Sequence, residues 1–225
     1  MISKLLGRIL NRPLSILPKF DQQLLSELPL MAIDLELTGL AVDTAKVTSI
    51  GWICGKGAQI ELGSGYYQII RASGDLAQSP VIHKLTAKDL TRGAHVREVL
   101  DEFVTLAQNH VLVFHNASLD MQIIKRVATL LDISQIEVMS IDTMALQHYM
   151  LTKADVALSH DALTLAKCRE RMGLPAAPEH NALSDAVATL ELLYATLYKL
   201  DKQQQLCIND LLHTRAIQVC QLGTD

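Results

Sequence analysis

The feature that most constrains the fold of this chain is a short apolar run that contains two acids. The run extends from Pro29 to Thr38, reads PLMAIDLELT, and is ended by Gly39. Its length and composition are typical of a buried central strand. Because alternate side chains of a strand share a face, Asp34 and Glu36 are predicted to point in the same direction. A fold that includes this strand must accommodate two neighbouring carboxylates.

Two interpretations of this acid pair are open at this stage. If the pair is buried, the carboxylates repel each other and lose hydration, so such a pair usually shares a proton or binds a cation. If the strand instead lies at an edge of the sheet, the same alternation places both acids in solvent. The strand pattern alone does not distinguish the two.

The rest of the chain predicts a mixed sheet covered by helices. β-rich runs at 47–53 and 59–70 follow the first strand on either side of a Gly-Lys-Gly turn, which indicates an antiparallel meander. Helical and strand-like segments alternate afterwards. Helices are predicted at 98–108, 117–131, 161–172 and 181–200, and strands at 111–114 and 137–141. We therefore expect an α/β fold, with a five-stranded mixed sheet flanked by helices as in ribonuclease H-like proteins.

Two further acids lie on apolar faces of predicted helices. Asp120 shares a helical row with Ile123 and Ile124, and Asp185 shares one with Ala188 and with Leu192. Each acid also falls in the first turn of its helix, where the helix dipole alone would favour a negative charge. A role at a site and a purely electrostatic role both account for these two positions.

His180 is the fifth candidate residue. It precedes Asp185 by five residues, which separates the two by about 140° on an ideal helix, so they share no helical face. Pro178 makes it plausible that His180 lies on the loop that enters the last helix. Three aspartates and a glutamate offer oxygen ligands to Mg²⁺ or Mn²⁺, and two such ions can clamp a phosphodiester. A neutral histidine nearby could accept the proton of an attacking water.

Together these motifs resemble the DnaQ-like, or DEDDh, family of 3′-to-5′ exonucleases. The resemblance rests on three segments, Asp34 to Gly39 (DLELTG), His115 to Asp120 (HNASLD) and His180 to Asp185 (HNALSD). Their order and spacing also fit, so the resemblance covers roughly residues 30–200. Softer matches are Ile50-Gly51, Ile82 to Thr86, and Asp142-Thr143.

The resemblance implies a complete set of site residues. It implies two divalent metal ions, Mg²⁺ or Mn²⁺, and a histidine that serves as general base. The metal ligands would be Asp34, Glu36, Asp120 and Asp185, the base His180, and the substrate-binding residues Leu37, Thr38, His83 and Asn116.

Two departures from the family pattern affect the substrate. Leu37 stands where many members have Thr beside the terminal nucleotide, and Leu119 replaces a common Phe. Neither is a metal ligand, but both leave the preference for DNA or RNA open. His83 and His115 could suggest zinc, although scattered histidines without paired spacing are more often core residues or partners of other site groups.

The chain is predicted to comprise three parts. Residues 1–28 form a basic amphipathic N-terminal extension, residues 29–200 the exonuclease domain, and residues 201–225 a helical C-terminal tail. The extension could pack on the domain, dock a protein partner or lie on a membrane surface.

Composition narrows the cellular setting. The net charge of −4 argues against a broad electrostatic hold on nucleic acid, so contacts should be local. The four cysteines form no CxxC pair, and no run approaches the roughly 20 apolar residues of a membrane span. A soluble protein of the reducing cytoplasm is expected.

The resemblance thus predicts an enzyme that hydrolyses nucleotides from free 3′ ends, with DNA favoured over RNA, in repair or proofreading as in the epsilon subunit of polymerase III. The first alternative is the same chemistry on RNA 3′ ends. The second is a binding subunit with little activity, docked on a polymerase through its N-terminal arm.

Overall fold

The computed structural model of the protein describes residues 17–72, 85–178 and 180–224. The strands are β1 (Leu30–Leu37), β2 (Val47–Lys56), β3 (Gln59–Ile60), β4 (Tyr66–Ile69), β5 (Val111–Phe114), β6 (Ile136–Asp142) and β7 (Ile217–Leu222). The helices are α1 (Ala87–Arg92), α2 (Val96–Ala107), α3 (Ala117–Leu130), α4 (Thr143–Lys153), α5 (Leu165–Arg171) and α6 (Ala182–Leu200). Short 3₁₀ helices occur at Pro18–Phe20, Leu25–Glu27, Leu62–Ser64 and Ile208–Thr214.

The strands form one mixed sheet in the order β3-β2-β1-β5-β6-β7, with β4 paired to the same strand as β3. β1 is antiparallel to β2 and parallel to β5. β5 and β6 are parallel, and β7 runs antiparallel to β6. The carboxyl ends of β1, β5 and β6 therefore lie together on one side of the sheet. This is where parallel sheets usually bind their ligands.

Helices cover both faces of this sheet and create two hydrophobic cores. On one face, Met31 and Ile33 of β1 pack in a core with residues of α2 and α3. On the other face, Leu30 and Ala32 of the same strand pack in a core with α4 and α6. Strand alternation thus assigns each apolar residue of β1 to one core or the other. The predicted layered α/β architecture is confirmed.

Three details of the predicted fold are wrong. The described part of the chain holds seven strands in the sheet rather than five. The run at 59–70 is divided by a 3₁₀ helix into β3 and β4. The residues expected to form a helical C-terminal tail contain the 3₁₀ helix Ile208–Thr214 and the strand β7 instead. Their apolar residues are buried against the sheet, which gives a strand more contacts than a solvated helix would have.

The described part of the N-terminal extension packs on the domain, which is one of the three arrangements left open by the sequence. Leu17, Phe20, Leu25 and Leu28 are buried in the core beneath α6. Residues 17–28 are therefore an integral part of the packed structure. The amphipathic segment at residues 1–16 lies outside the described residues. Within the ranges that the structure covers, no helix is both long and apolar enough to cross a membrane.

Candidate active site

β1 carries two acids near its carboxyl end, where the parallel strands of the sheet also end. Asp34 and Glu36 follow Leu30 and Ala32 on the face that α6 covers. β1 lies between β2 and β5, and the Glu36 side chain is only 7% exposed. The alternative of a solvated edge strand is therefore wrong.

A glycine on the neighbouring strand allows the third acid to approach. Gly51 of β2 stands opposite Asp34 in the antiparallel register. A Cβ atom added to this glycine would lie 2.2 Å from the backbone nitrogen of Leu183, in the first turn of α6. The start of α6 thus rests directly on the β2 backbone, which brings Asp185 to the acids of β1.

The three acids form a compact group of oxygen donors. One carboxylate oxygen from each of Asp34, Glu36 and Asp185 can be chosen so that all three lie within 4.8 Å of one another. Asp185 is held by the backbone N–H of Asn181, which donates to its Oδ2 at 3.2 Å. Asn181 in turn caps α6, since its side chain accepts the backbone N–H of Ser184 at 3.1 Å.

The pKa values of the two β1 acids reflect this crowding. Burial raises the pKa of Asp34 well above its ordinary value, and the negative charges of Asp120, Asp185 and Glu36 raise it further. Burial, with a smaller contribution from Asp185, raises the pKa of Glu36 to about 7. A cation would relieve both effects. An all-oxygen donor set of this kind fits a hard divalent ion such as Mg²⁺ or Mn²⁺.

Asp120 lies just outside the compact group. It is in the first turn of α3, which begins directly after β5, and its side chain is 7% exposed. Burial raises its pKa to about 8, and the charges of Asp142 and Glu36 add to the shift. A helix-dipole partner would be expected at the surface, so the burial of Asp120 among other acids favours a role at the site.

Asp142 is a fifth acid at the carboxyl ends of the parallel strands. Its carboxylate accepts the backbone N–H groups of Asn116 at 3.1 Å and Ala117 at 3.2 Å, at the start of α3. It also accepts those of Met144 at 2.9 Å and Ala145 at 3.4 Å, at the start of α4. One carboxylate thus caps two helices and joins them at the site.

His180 lies outside α6, two residues before the first residue of that helix. Its φ is +64°, in the left-handed region, and its side chain is exposed. Together with Asp34, Glu36 and Asp185 it lines a cleft of about 900 Å³. The opposite wall of the cleft comes from α5 and the segment at 173–177.

His115 lines the same cleft but has protein partners at both ring nitrogens. Nδ1 is 2.8 Å from Thr143 Oγ1, and Nε2 is 2.8 Å from the Leu163 carbonyl oxygen. Burial lowers its pKa, against the opposing effect of the Leu163 carbonyl. These contacts fit a histidine that orders the loop before α5, and they do not fit a zinc ligand.

The predicted substrate-binding residues Leu37, Thr38 and Asn116 lie at or just beyond the ends of β1 and β5. Leu37 follows a register irregularity after Glu36, and the Thr38 hydroxyl accepts the backbone N–H of Lys46 at 2.9 Å. Asn116 is exposed, with φ at +80°. His83 lies outside the described residues.

Two residues at the site were missed by the sequence analysis. Asp142 was noted only within a softer match, although its place at the end of a predicted strand was a usable signal. Arg169 of α5 lines the cleft and is 3% exposed. Nothing in the sequence separates it from the solvated charges beside it.

Comparisons with known proteins agree with this geometry. The model of the RNase T exonuclease family matches residues 31–193. The PolC-type DNA polymerase III of Thermotoga maritima is 28% identical over 177 residues, which cover 76% of this chain and 12% of that protein. The 3′-5′ exonuclease DinG of Staphylococcus epidermidis is 28% identical over 183 residues, which cover 77% of this chain and 19% of that protein. This chain thus spans less than a fifth of the length of these two curated relatives.

Among solved structures, exonuclease I superimposes with a TM-score of 0.66 at 9% identity, covering 84% of this chain and 44% of that one. At this identity the likeness concerns the fold, and it confirms the predicted ribonuclease H-like architecture.

Proposed function

This chain belongs to the RNase T exonuclease family, and we propose that it removes nucleotides one at a time from the 3′ ends of nucleic acid strands. The observation that carries the proposal is the convergence of Asp34, Glu36 and Asp185 within 4.8 Å in an open cleft. The family match and the names of the relatives support the same chemistry.

Four acids are proposed to hold two divalent ions, Mg²⁺ or Mn²⁺. Asp34, Glu36 and Asp185 would supply most of the oxygen ligands, with Asp120 completing the set from α3. When bound, such ions would supply Lewis acidity at the phosphodiester and ease the ionisation of the attacking water. Without positive charge, the acids would repel both one another and the substrate backbone.

His180 is proposed to accept the proton of the attacking water. It lies on the rim of the cleft that the acids line, on the loop that leads to Asp185. An imidazole can accept a proton near neutral pH, whereas the carboxylates would be occupied as ligands. The protonated histidine could then leave the proton to solvent after the phosphodiester is cleaved.

DNA is the proposed substrate in preference to RNA, in repair or proofreading. The support is the DNA polymerase named among the relatives, in which a region similar to this chain makes up about an eighth of the protein. A polymerase partner for this chain belongs to the same proposal. Its test is co-elution of the purified protein with a replicative polymerase in gel filtration, for the full chain and for a chain without residues 1–16.

The proposed activity is tested with strands that carry a label at one end. Single- and double-stranded DNA and RNA of one sequence are incubated with EDTA, Mg²⁺ or Mn²⁺. Mononucleotides should be released from the 3′ end only when a divalent ion is present, and a 3′-phosphate should slow their release. Faster digestion of RNA would reassign the substrate. Cleavage of a closed circle, or full activity in EDTA, would contradict the proposal. Asp34→Asn is the matched inactive control.

A further inference from the structure

A buried arginine on α5 connects one wall of the cleft to α6. Arg169 lies on α5 and is 3% exposed, whereas its neighbours Lys167 and Glu170 form an exposed ion pair at 2.9 Å. Burial of a guanidinium is costly unless it is paired and hydrogen-bonded. The contacts of Arg169 must therefore account for its position.

These contacts reach two other parts of the chain. Nη1 donates to the carbonyl oxygen of Ala188 at 2.7 Å and pairs with Glu191 Oε2 at 2.8 Å, both on α6. Nη2 donates to the carbonyl oxygen of Pro175 at 3.0 Å, in the segment that forms a wall of the cleft. The rigid fork of a guanidinium can hold two backbone carbonyls at a fixed separation, which an ammonium cannot do.

The two carbonyls bracket the part of the chain that carries the site histidine. Pro175 precedes His180, and Ala188 follows Asp185 by less than one helical turn. Between them, His180 has a φ of +64°. This conformation is uncommon for residues other than glycine, and contacts that hold the neighbouring backbone help to maintain it. Arg169 thus binds the backbone at both ends of the segment that contains His180.

The overall fold does not explain this arrangement. α6 already packs on the sheet through buried residues such as Leu190 and Leu193. Glu191 is partly exposed, so an apolar side chain could fill the space of the buried guanidinium and leave this carboxylate in solvent. We propose that Arg169 is a positioning residue, which fixes His180 relative to the acids. This inference rests on the proposed function.

The test is a double-mutant cycle measured by single-turnover cleavage of a labelled strand. Arg169→Met should slow cleavage by about 10- to 100-fold, the usual cost of a misplaced catalytic group. In the His180→Ala background, the same change should cost less than about twofold, because the group that it positions is absent. Arg97→Met is the matched control, since Arg97 is exposed and donates to the Leu131 carbonyl away from the cleft.

Arg169→Lys provides a second route if Arg169→Met does not fold. Lysine can keep the ion pair with Glu191 but cannot span both carbonyls, so its rate should fall while its circular dichroism spectrum stays native. Equal losses in the two backgrounds, or a folded Arg169→Lys protein with the full wild-type rate, would overturn the proposal. A wild-type protein that degrades none of the strands would instead contradict the proposed function.

Discussion

At the scale of single residues, burial of the acids of the site does not stabilise the fold. Glu36 is buried beside Asp185, and Asp120 is buried with Asp142 and Glu36 nearby. Each of these carboxylates has lost hydration and faces like charge, which raises its pKa. Groups of this kind are frequent at functional sites because a ligand or a reaction offsets the cost of placing them there.

Glu36→Gln should therefore separate stability from activity. Above the raised pKa of about 7, the wild-type carboxylate is ionised in a buried place next to Asp185. The neutral amide removes that repulsion, so the melting temperature of the metal-free protein at about pH 8 should rise by a few degrees. Cleavage should fall by orders of magnitude because a ligand is lost. Thermal unfolding in EDTA and a cleavage assay measure both. Glu137→Gln, on the exposed face of β6, should change neither.

His180 provides a separate prediction at the same scale. If its imidazole accepts the proton of water, His180→Ala should lose roughly 10²–10⁴-fold in single-turnover rate, the usual contribution of a general base. The affinity for Mg²⁺, measured by calorimetry, should survive because the four acids are intact. His180→Gln should not restore the rate, since an amide cannot take up a proton. A near-normal rate for His180→Ala, with the same loss of activity at low pH, would assign the proton transfer to another group.

At the scale of elements, the contact between α6 and β2 determines whether the site forms. The absence of a side chain at Gly51 lets the helix start rest on the strand that faces Asp34. The positions of Asp185 and of the loop that carries His180 depend on this contact between α6 and β2, since both lie at the start of α6.

Gly51→Ala should lift this end of the helix. The new Cβ would meet backbone atoms of Ala182 and Leu183, which cannot rotate away as a side chain could. A cost on the order of 1–3 kcal/mol in unfolding free energy is expected from such overpacking. The cleavage rate of the folded protein should also fall, because Asp185 moves away from Asp34. Urea unfolding and the cleavage rate measure the two effects. Gly63→Ala, which has nothing within 4 Å of its new Cβ, should be neutral.

The elements that could be predicted from the sequence are those with a strong local pattern. Alternation identified β1 and its paired acids, and a long helical period identified α6. Ile208 and Leu211 are three residues apart, a spacing that also fits a helix, yet they precede a strand that exists only because it pairs with β6. The burial of Arg169 depends in the same way on the packing of α5 against α6. Local patterns do not carry such tertiary contacts.

At the scale of the whole molecule, the acid cluster links stability to pH and to metal. Burial and like charge raise the pKa of Glu36 from 4.5 to about 7 and that of Asp120 from 3.8 to about 8. Between about pH 4 and about pH 8, the folded protein therefore binds more protons than the unfolded chain. The contribution of these two groups to stability accordingly falls as the pH rises through this range.

Melting temperatures in EDTA should thus decrease from about pH 5 to about pH 8.5, while the stabilisation by Mg²⁺ should grow over the same interval because the ion binds ionised acids. Differential scanning calorimetry at several pH values measures both trends. In a Glu36→Gln, Asp120→Asn double variant, the two trends should flatten together. A metal-free wild-type protein that becomes more stable toward pH 8 would contradict the assignment of these raised pKa values.

The position of β7 has a consequence for self-association. This strand pairs with β6 from Ile136 to Ile141, and its Ile217 and Leu222 are buried in the two cores. Without it, β6 would present a row of unpaired N–H and C=O groups beside bare apolar surface, which is a template for pairing between molecules. A chain shortened to end at Leu200 should therefore form oligomers and precipitate at concentrations at which the full chain stays monodisperse in light scattering. β7 thus keeps the buried strand β6 from becoming the edge of the sheet, and it presents the exposed polar residues Gln218 and Gln221 instead.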